Sequence, residues 1–251
     1  MKQLIFFAEF FQIFLLLSFM SGIFAEDCKQ TGKGFAVVEL FTSEGCSDCP
    51  KADKNLNELS KFETSKNIYP LAFHVTYWDY IGWKDSFGKQ EFTDRQEKYN
   101  RYLRTGTYTP QAVVNGKLDI IGSKRSSLFS AIESELLNQN TINIELNANR
   151  KVNTLEIEYK VNCIKANQVL NIALVEKGLF TSVTRGENRG SKLSHENVVR
   201  SFNTTTLTKK TGKIKLEFPD LEKNITNFEL ISFVQDIDTF IILGASKSKL
   251  N

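Results

Sequence analysis

The stretch VVELFTSEGCSDCPKAD, residues 37–53, joins a continuous apolar run to two cysteines and then to a more polar segment. The full run GFAVVELFT (34–42) is typical of a strand that is covered on both faces. After the cysteines, apolar residues recur at helical spacing: Ala52, Leu56, Leu59 and Phe62. Pro50 fits the first turn of that helix, where no amide donor is needed. The pattern therefore places Cys46 and Cys49 at the N-terminus of a helix that follows a central strand.

This placement favours redox chemistry at the two cysteines. A helix N-terminus carries a partial positive charge, which stabilises a thiolate relative to a thiol. We predict that Cys46 is the nucleophile and that Cys49 resolves a mixed disulfide by intramolecular attack. Two alternatives stay open. The pair is either a structural disulfide of a non-catalytic interaction protein, or it binds copper, with or without His74 as a third ligand. A buried core histidine is the other interpretation of His74.

The pattern of alternating strands and helices continues beyond the first helix. IYPLAFHVTYW (68–78) predicts a second strand, parallel to the first, and a charged helical insert follows it. Two short apolar strands then flank Asn115-Gly116, a dipeptide typical of a tight hairpin. An amphipathic helix ends this region near Asn138.

Thr109 and Pro110 come directly before the hairpin. If their peptide bond is cis, it holds the backbone of Thr109 open beside the sulfurs. A free strand edge at Thr109 then accepts a substrate peptide by main-chain pairing. Asp79, just beyond the second strand, is predicted to relay a proton to the dithiol, or else to cap the segment that follows it.

The order of these elements resembles the thioredoxin fold. Several motifs, namely ELFTSEGCSDCPKAD, AFHVTYWDYIGWKDSF, FTDRQEKY, YTPQAVVNGK and RGENRGSKLSHENVVRSF, resemble the secreted thioredoxin-like family known as domain of unknown function 1223. The resemblance implies a thioredoxin-like domain with a β-rich C-terminal extension. Because Ser47-Asp48 replaces the usual Gly-Pro between the cysteines, the resemblance leaves the redox potential and the partner open.

The sequence period changes after Asn140. INIELNA and TLEIEYKVN alternate strictly between apolar and polar residues, which predicts strands with one exposed face, and further strand-like runs follow. The predicted fold class is therefore an α/β thioredoxin-like domain with a helical insert (26–140), followed by a small all-β sandwich-like domain (141–251). RGENRGSKLSHENVVRSF is predicted to be a solvated connector within the second domain, with a basic surface loop that binds the first domain or a partner as the alternative.

The N-terminal segment, residues 1–25, predicts a secretory signal peptide. Lys2 precedes an apolar stretch, and small residues lie near Ala25. An uncleaved membrane anchor is the alternative. A removed signal peptide predicts a secreted or periplasmic protein in an oxidising compartment. Cys28 and Cys163 are then a candidate structural disulfide, with inert buried thiols as the alternative.

Charge and composition limit the partners. The chain of 251 residues has a formal net charge of +3, with Lys and Glu interspersed, so we expect no nucleic-acid partner. The predicted function is thiol–disulfide oxidoreductase. Protein or peptide thiols and disulfides are its expected partners, together with a redox partner protein. We expect a membrane partner only if the N-terminal segment stays attached, and no cofactor except copper in the alternative reading.

Overall fold

The computed structural model describes Cys28, residues 32–218 and residues 225–250, so the predicted signal peptide lies outside the described part of the chain. Before residue 140 the elements are β1 (Ala36–Thr42), α1 (Cys49–Ser60), α2 (Glu63–Lys66), β2 (Ile68–His74), α3 (Gln90–Leu103), β3 (Gln111–Val114), β4 (Leu118–Ile121) and α4 (Arg125–Leu136). After it they are β5 (Ile144–Arg150), β6 (Thr154–Val161), β7 (Gln168–Glu176), β8 (Leu179–Ser182), β9 (Lys192–His195), β10 (Val198–Thr206), β11 (Thr211–Glu217), β12 (Phe228–Asp236) and β13 (Ile242–Lys249). Short 3₁₀ turns lie at Asp79–Ile81 and Ile225–Asn227.

The local elements around the cysteines form as predicted, except that β2 ends at His74 and not at Trp78. β1 and β2 pair in parallel, with Thr42 opposite His74 at their carboxyl ends. β3 and β4 form the predicted hairpin. Asn115 and Gly116 both have positive φ at its turn, the geometry for which this dipeptide is suited.

The predicted fold class is wrong. A mixed sheet of eight strands runs through the described residues in the order β13-β12-β7-β10-β2-β1-β3-β4. Its halves join where β10 runs parallel to β2, with Val198 opposite Ala72, and the amide of Ala72 donates to the carbonyl of Asn197 at 2.9 Å. Strands from both sides of Asn140 therefore share one sheet, instead of forming an α/β domain and a separate sandwich. The division at Asn140 itself stays a prediction, because a shared sheet does not test whether either part folds alone.

The error came from extending one pattern to every C-terminal strand. The strict alternation did identify β5 and β6, which have one exposed face and lie with β11 in a three-stranded sheet. By contrast, all nine residues of β7 are buried, as are all residues of β12 except Asp236. Strands covered on both faces belong in the interior of a layered sheet. QVLNIALVE and FELISFVQD carry the same continuous apolar signature as β1.

The hydrophobic core shows the same continuity. The face of the large sheet that α3 covers holds a cluster drawn from both halves of the chain: Phe41, Phe73, Phe92, Tyr99, Val175, Val199 and Phe233. On the opposite face, α1 and α4 cover the N-terminal strands, and the three-stranded sheet covers the C-terminal strands. The carboxyl ends of β1 and β2 therefore lie against strands of the C-terminal half.

A buried ion pair ties α3 to the sheet. The guanidinium of Arg95 contacts both carboxylate oxygens of Glu39 on β1, and the hydroxyl of Tyr99 donates to the same carboxylate. Gln235 on β12 donates to the Tyr99 hydroxyl at 2.9 Å. Arg95 also stacks 4.7 Å from the ring of Phe202. One polar network thus links the N-terminal and C-terminal strands beneath α3.

Candidate active site

Cys46 and Cys49 form a disulfide at the start of α1. β1 ends at Thr42, and a short loop returns the chain so that the amide of Cys49 donates to the carbonyl of Cys46 at 3.2 Å. Pro50 lies in the first helical turn, as predicted. Cys46 is 2% exposed and Cys49 is 0% exposed, whereas Ser47 and Asp48 between them face solvent. A partner that approaches this site therefore meets the Ser47-Asp48 dipeptide first.

A group of buried ionisable side chains lies between α1, the carboxyl ends of β1 and β2, and β9, and two of its members are on the helix and the loop that carry the cysteines. Its members are Glu44, Asp53, His74, Asp85 and His195. Asp85 accepts from the backbone amides of Glu44 and Phe87, each at 2.9 Å, and lies 2.7 Å from Nδ1 of His74. Asp85 therefore fixes both the loop before Cys46 and the His74 ring.

His195 joins this cluster from the C-terminal half. Its Nε2 lies 3.3 Å from Glu44 and its Nδ1 lies 3.7 Å from Asp53. These are ion-pair distances, although neither ring nitrogen of His195 is aligned for a hydrogen bond within the described residues. The rings of His74 and His195 lie edge to face, with centroids 5.2 Å apart. Thr42 donates to Asp53 at 3.0 Å, which holds that carboxyl over the end of β1.

The environment separates the acidities of these groups. Burial by itself raises the pKa of Asp85, but the adjacent His74 and the two amide donors outweigh it and hold the pKa of Asp85 at about 2. Burial likewise lowers the pKa of His74, but Asp85 reverses the effect and the net pKa is raised. Burial raises the pKa of Asp53, and the neighbouring histidines and Thr42 only partly offset it. His74 and Asp85 therefore form a charged pair, whereas Asp53 keeps its proton to higher pH than an exposed aspartate.

The His74–Asp85 pair is expected to make stability depend on pH. The folded pKa of Asp85 lies below its ordinary value of 3.8, so its contribution is present above about pH 4 and is lost as the pH falls towards 2. The folded pKa of His74 is raised above 6.5, so its contribution is present below that pH and is lost as the pH rises through the folded pKa. The free energy of unfolding, measured with urea, is expected to fall between about pH 4 and pH 2 in the wild-type protein. In Asp85→Asn this fall should be smaller by about 2 kcal/mol. The exposed Asp94→Asn is the control, and an unchanged acid slope in Asp85→Asn would contradict the assignment.

The loop at residues 185–190 forms a wall of the site. Asn188 donates to the carbonyls of Glu44 and Cys46, at 2.8 and 2.9 Å, and Glu187 accepts from the amide of Ser47 at 3.2 Å. Gly186, with φ of +72°, lies so close to Trp83 that an added Cβ would be 3.3 Å from it. These contacts contradict the solvated connector and fit the alternative, a loop that binds the N-terminal part of the chain.

Asp79 and His74 are placed near the site but have structural partners. Asp79, at the start of the 3₁₀ turn, accepts from the backbone amide of Asp85 at 3.2 Å. It therefore positions Asp85, and its role as a proton relay stays a prediction. His74 is buried, and its Nε2 has no hydrogen-bond partner within the described residues.

Thr109 and Pro110 lie beside the end of β1. The pairing of Phe41 with Gln111, continued by one step, sets Pro110 next to Thr42. The Thr109–Pro110 bond is cis, and Thr109 accepts from the indole of Trp78 at 2.7 Å. β3 itself is paired on both sides, with β1 and β4, so only the segment before it remains for peptide pairing. That pairing stays a prediction.

The structure also joins Cys28 to Cys163, so the described residues contain no free cysteine. Within the same residues, no group of three or more His, Cys, Asp or Glu side chains is arranged to hold a metal ion, and copper binding by the reduced cysteine pair stays an untested alternative. No helix in the described part of the chain has both the length and the apolar character needed to cross a bilayer.

Sequence reasoning missed five residues that line the site, namely Glu44, Asp53, Asp85, Asn188 and His195. Helical spacing alone gave a signal for Asp53, which follows Cys49 by four residues and so shares its helix face. No local sequence pattern places His195 or Asn188 near the cysteines. They lie there because β10, which follows them in the chain, pairs with β2.

Comparison with known proteins agrees with the predicted family. The family model described as protein of unknown function (DUF1223) matches residues 37–235. The chain belongs to this family. The matches confirm the DUF1223 prediction but not the assignment of this DUF1223 protein to the thioredoxin superfamily. No curated protein matches the chain significantly.

Two solved structures share the fold of this DUF1223 protein. Protein AGR_C_4864 from Agrobacterium tumefaciens, a structural-genomics target, is 24% identical with a TM-score of 0.62, over 88% of this chain and 99% of that one. HBP35 of Porphyromonas gingivalis is 14% identical with a TM-score of 0.62, over 88% of this chain and 77% of that one. At these identities the likeness shows the fold alone.

Proposed function

We propose that this protein is a thiol–disulfide oxidoreductase that acts on protein or peptide thiols through Cys46 and Cys49. The observation that carries the proposal is a disulfide at a helix N-terminus whose helix and preceding loop carry members of a buried ionisable cluster, Asp53 one turn after Cys49 and Glu44 two residues before Cys46. The helix terminus favours a thiolate, and the buried side chains supply groups that exchange protons with the sulfurs. Such groups are concentrated at catalytic sites more often than in ordinary cores.

The exchange reaction proceeds in two displacements. A substrate thiolate attacks the sulfur of Cys46, the Cys46–Cys49 bond breaks, and Cys49 leaves as a thiolate that takes up a proton. A second substrate thiolate then attacks the substrate sulfur of the mixed disulfide and releases Cys46. The substrate leaves as a disulfide, oxidised by two electrons, and the protein dithiol is reduced. The reverse sequence reduces a substrate disulfide.

A purely structural role explains the Cys46–Cys49 bond less well. Its cysteines are only 3 residues apart, whereas Cys28 and Cys163 are 135 residues apart. In the chain-entropy model, a cross-link stabilises a protein by restricting its unfolded chain, and the gain grows with the length of the closed loop. The long-range bond is therefore the structural one. The Cys46–Cys49 bond restricts the unfolded chain very little, so a role that requires it to open and close explains it better.

The proposed location is extracytoplasmic. Disulfides persist in oxidising compartments, and the Cys28–Cys163 bond is of the long-range, structural kind found there. The N-terminal sequence favours the same compartment. We propose protein or peptide thiols as substrates and a separate redox protein as the partner that resets the dithiol.

Equilibration against glutathione buffers tests this function. The purified protein is held at a series of ratios of reduced to oxidised glutathione, free thiols are trapped by alkylation, and Cys46 and Cys49 are scored by mass spectrometry. We expect a reversible midpoint for this pair within the accessible range, while Cys28 and Cys163 stay oxidised. A Cys46–Cys49 pair that stays closed at every ratio would overturn the proposal in favour of a structural bond.

A further inference from the structure

We propose that Asp53 is the group that exchanges a proton with Cys49 each time the disulfide opens or closes. This inference rests on the proposed oxidoreductase function and assigns a residue to its resolving step. The position of Asp53 on α1 and the balance of charge in the buried cluster both support this role.

The helix α1 places Asp53 next to Cys49. Asp53 follows Cys49 by one helical turn on α1, and side chains four residues apart on a helix are neighbours. Both are buried, so Cys49 has no direct route for its proton to bulk water. Thr42 holds the Asp53 carboxyl at the end of β1, where the loop that carries Cys46 begins.

The buried cluster has more carboxyls than imidazoles. The buried cluster contains the carboxyls of Glu44, Asp53 and Asp85 but only the imidazoles of His74 and His195. Within the described residues, none of these carboxyls has a lysine or arginine ion-pair partner. If every carboxyl were ionised, one would therefore have no cation to balance it.

Asp53 is the carboxyl left over. Asp85 is paired with His74 at 2.7 Å, and the nearer carboxyl of His195 is Glu44, at 3.3 Å compared with 3.7 Å to Asp53. A buried carboxyl without its own cation holds a proton readily. The raised pKa of Asp53, caused first by burial, agrees with this assignment.

A proton passes between Asp53 and Cys49 each time the disulfide opens or closes. When a substrate thiolate breaks the disulfide, Cys49 leaves as a thiolate, and Asp53 gives it a proton and becomes a carboxylate. In the reverse direction the carboxylate takes the proton from the Cys49 thiol. The resulting thiolate attacks the sulfur of Cys46 in the mixed disulfide, closes the Cys46–Cys49 bond and expels the substrate thiolate.

The test follows the resolving step alone. Reduced protein is mixed with oxidised glutathione, the reaction is quenched with acid, and the lifetime of the Cys46–glutathione adduct is measured by mass spectrometry from pH 5 to 9. Asp53→Asn is expected to slow resolution about 10²-fold near neutral pH, at the lower end of the range for general acid–base catalysis. The difference should narrow as the pH approaches the ordinary thiol pKa of about 8.5, where Cys49 ionises unaided.

Two further variants make the result decisive. Glu58→Gln, exposed on the same helix, is the matched control and is expected to resolve at the wild-type rate. His195→Gln removes the imidazole that lies 3.7 Å from Asp53 and lowers the pKa of its carboxyl, so the pH profile of resolution should move to higher pH. Asp53→Asn is expected to fold, because the asparagine side chain can still accept from Thr42. If it folds poorly, the pH profile of His195→Gln still tests the role of Asp53.

Three outcomes would overturn the inference or its basis. Wild-type resolution rates in folded Asp53→Asn across the whole pH range would overturn the role of Asp53 and leave the oxidoreductase function intact. An unmoved profile in His195→Gln would overturn it too. A reduced wild-type protein in which oxidised glutathione neither forms the adduct nor closes the Cys46–Cys49 bond would instead overturn the proposed function, and this inference with it.

Discussion

Cys46→Ser is expected to lower the rate of thiol–disulfide exchange by about 10⁴-fold or more, as loss of a catalytic nucleophile does in other enzymes. The reason is access. Cys46 retains some exposure beside the solvent-facing Ser47-Asp48 dipeptide, whereas Cys49 is fully buried on α1. A Cys49 thiol without Cys46 therefore cannot be reached by a substrate.

Cys49→Ser provides the matched variant. Cys46 keeps its position at the helix N-terminus, so the first attack should proceed, but no second thiol is present to release the adduct. Mass spectrometry after exposure to oxidised glutathione is expected to show one stable adduct on Cys46 in Cys49→Ser and none at residue 49 in Cys46→Ser. Adducts of equal yield in the two variants would show that the predicted division of roles is wrong.

Glu39→Ala is expected to destabilise the protein by about 3–5 kcal/mol, because it leaves the Arg95 charge buried without its partner. Arg95 is only 12% exposed and is surrounded by aromatic rings, so water cannot replace the carboxylate. The Tyr99 hydroxyl also loses its acceptor. Denaturant unfolding at neutral pH measures the change.

The double variant Glu39→Leu/Arg95→Met separates the charge from the packing. With both charges removed, stability is expected to return close to the wild-type value, because the desolvation penalty disappears with the pair. Glu58→Ala, which breaks the exposed pair with Arg125, is the surface control and should show no measurable loss. A Glu39→Ala variant as stable as this control would contradict the importance of the buried pair.

The buried ion pair of Glu39 and the cysteine site lie on opposite faces of β1. Glu39 and Thr42 lie three residues apart in a strand, so their side chains point to opposite sides of the sheet. Glu39 meets α3, whereas Thr42 meets Asp53 on α1. Variants of Glu39 should therefore change stability without changing the exchange rate of the folded protein.

The sequence by itself determined the features that depend on near neighbours along the chain. The apolar run of β1, the helical spacing after Cys49 and the Asn115-Gly116 turn each predicted an element that the structure contains. Strand and helix periods, helix termini and tight turns are set by residues a few positions apart, so a short window of sequence is enough to specify them. The cysteine pair at the start of α1 belongs to this class.

Only the tertiary structure decided how the sheet closes and what lies behind the cysteines. The pairing of Val198 with Ala72 merges the two halves into one sheet, and the same crossing brings His195 to Asp53. The apolar pattern of a buried strand does not specify which strand it pairs with. The packing of the whole chain selects that partner. The ionisable cluster behind the disulfide follows from that selection, because its members are far apart in sequence and meet only when the strands and helices pack.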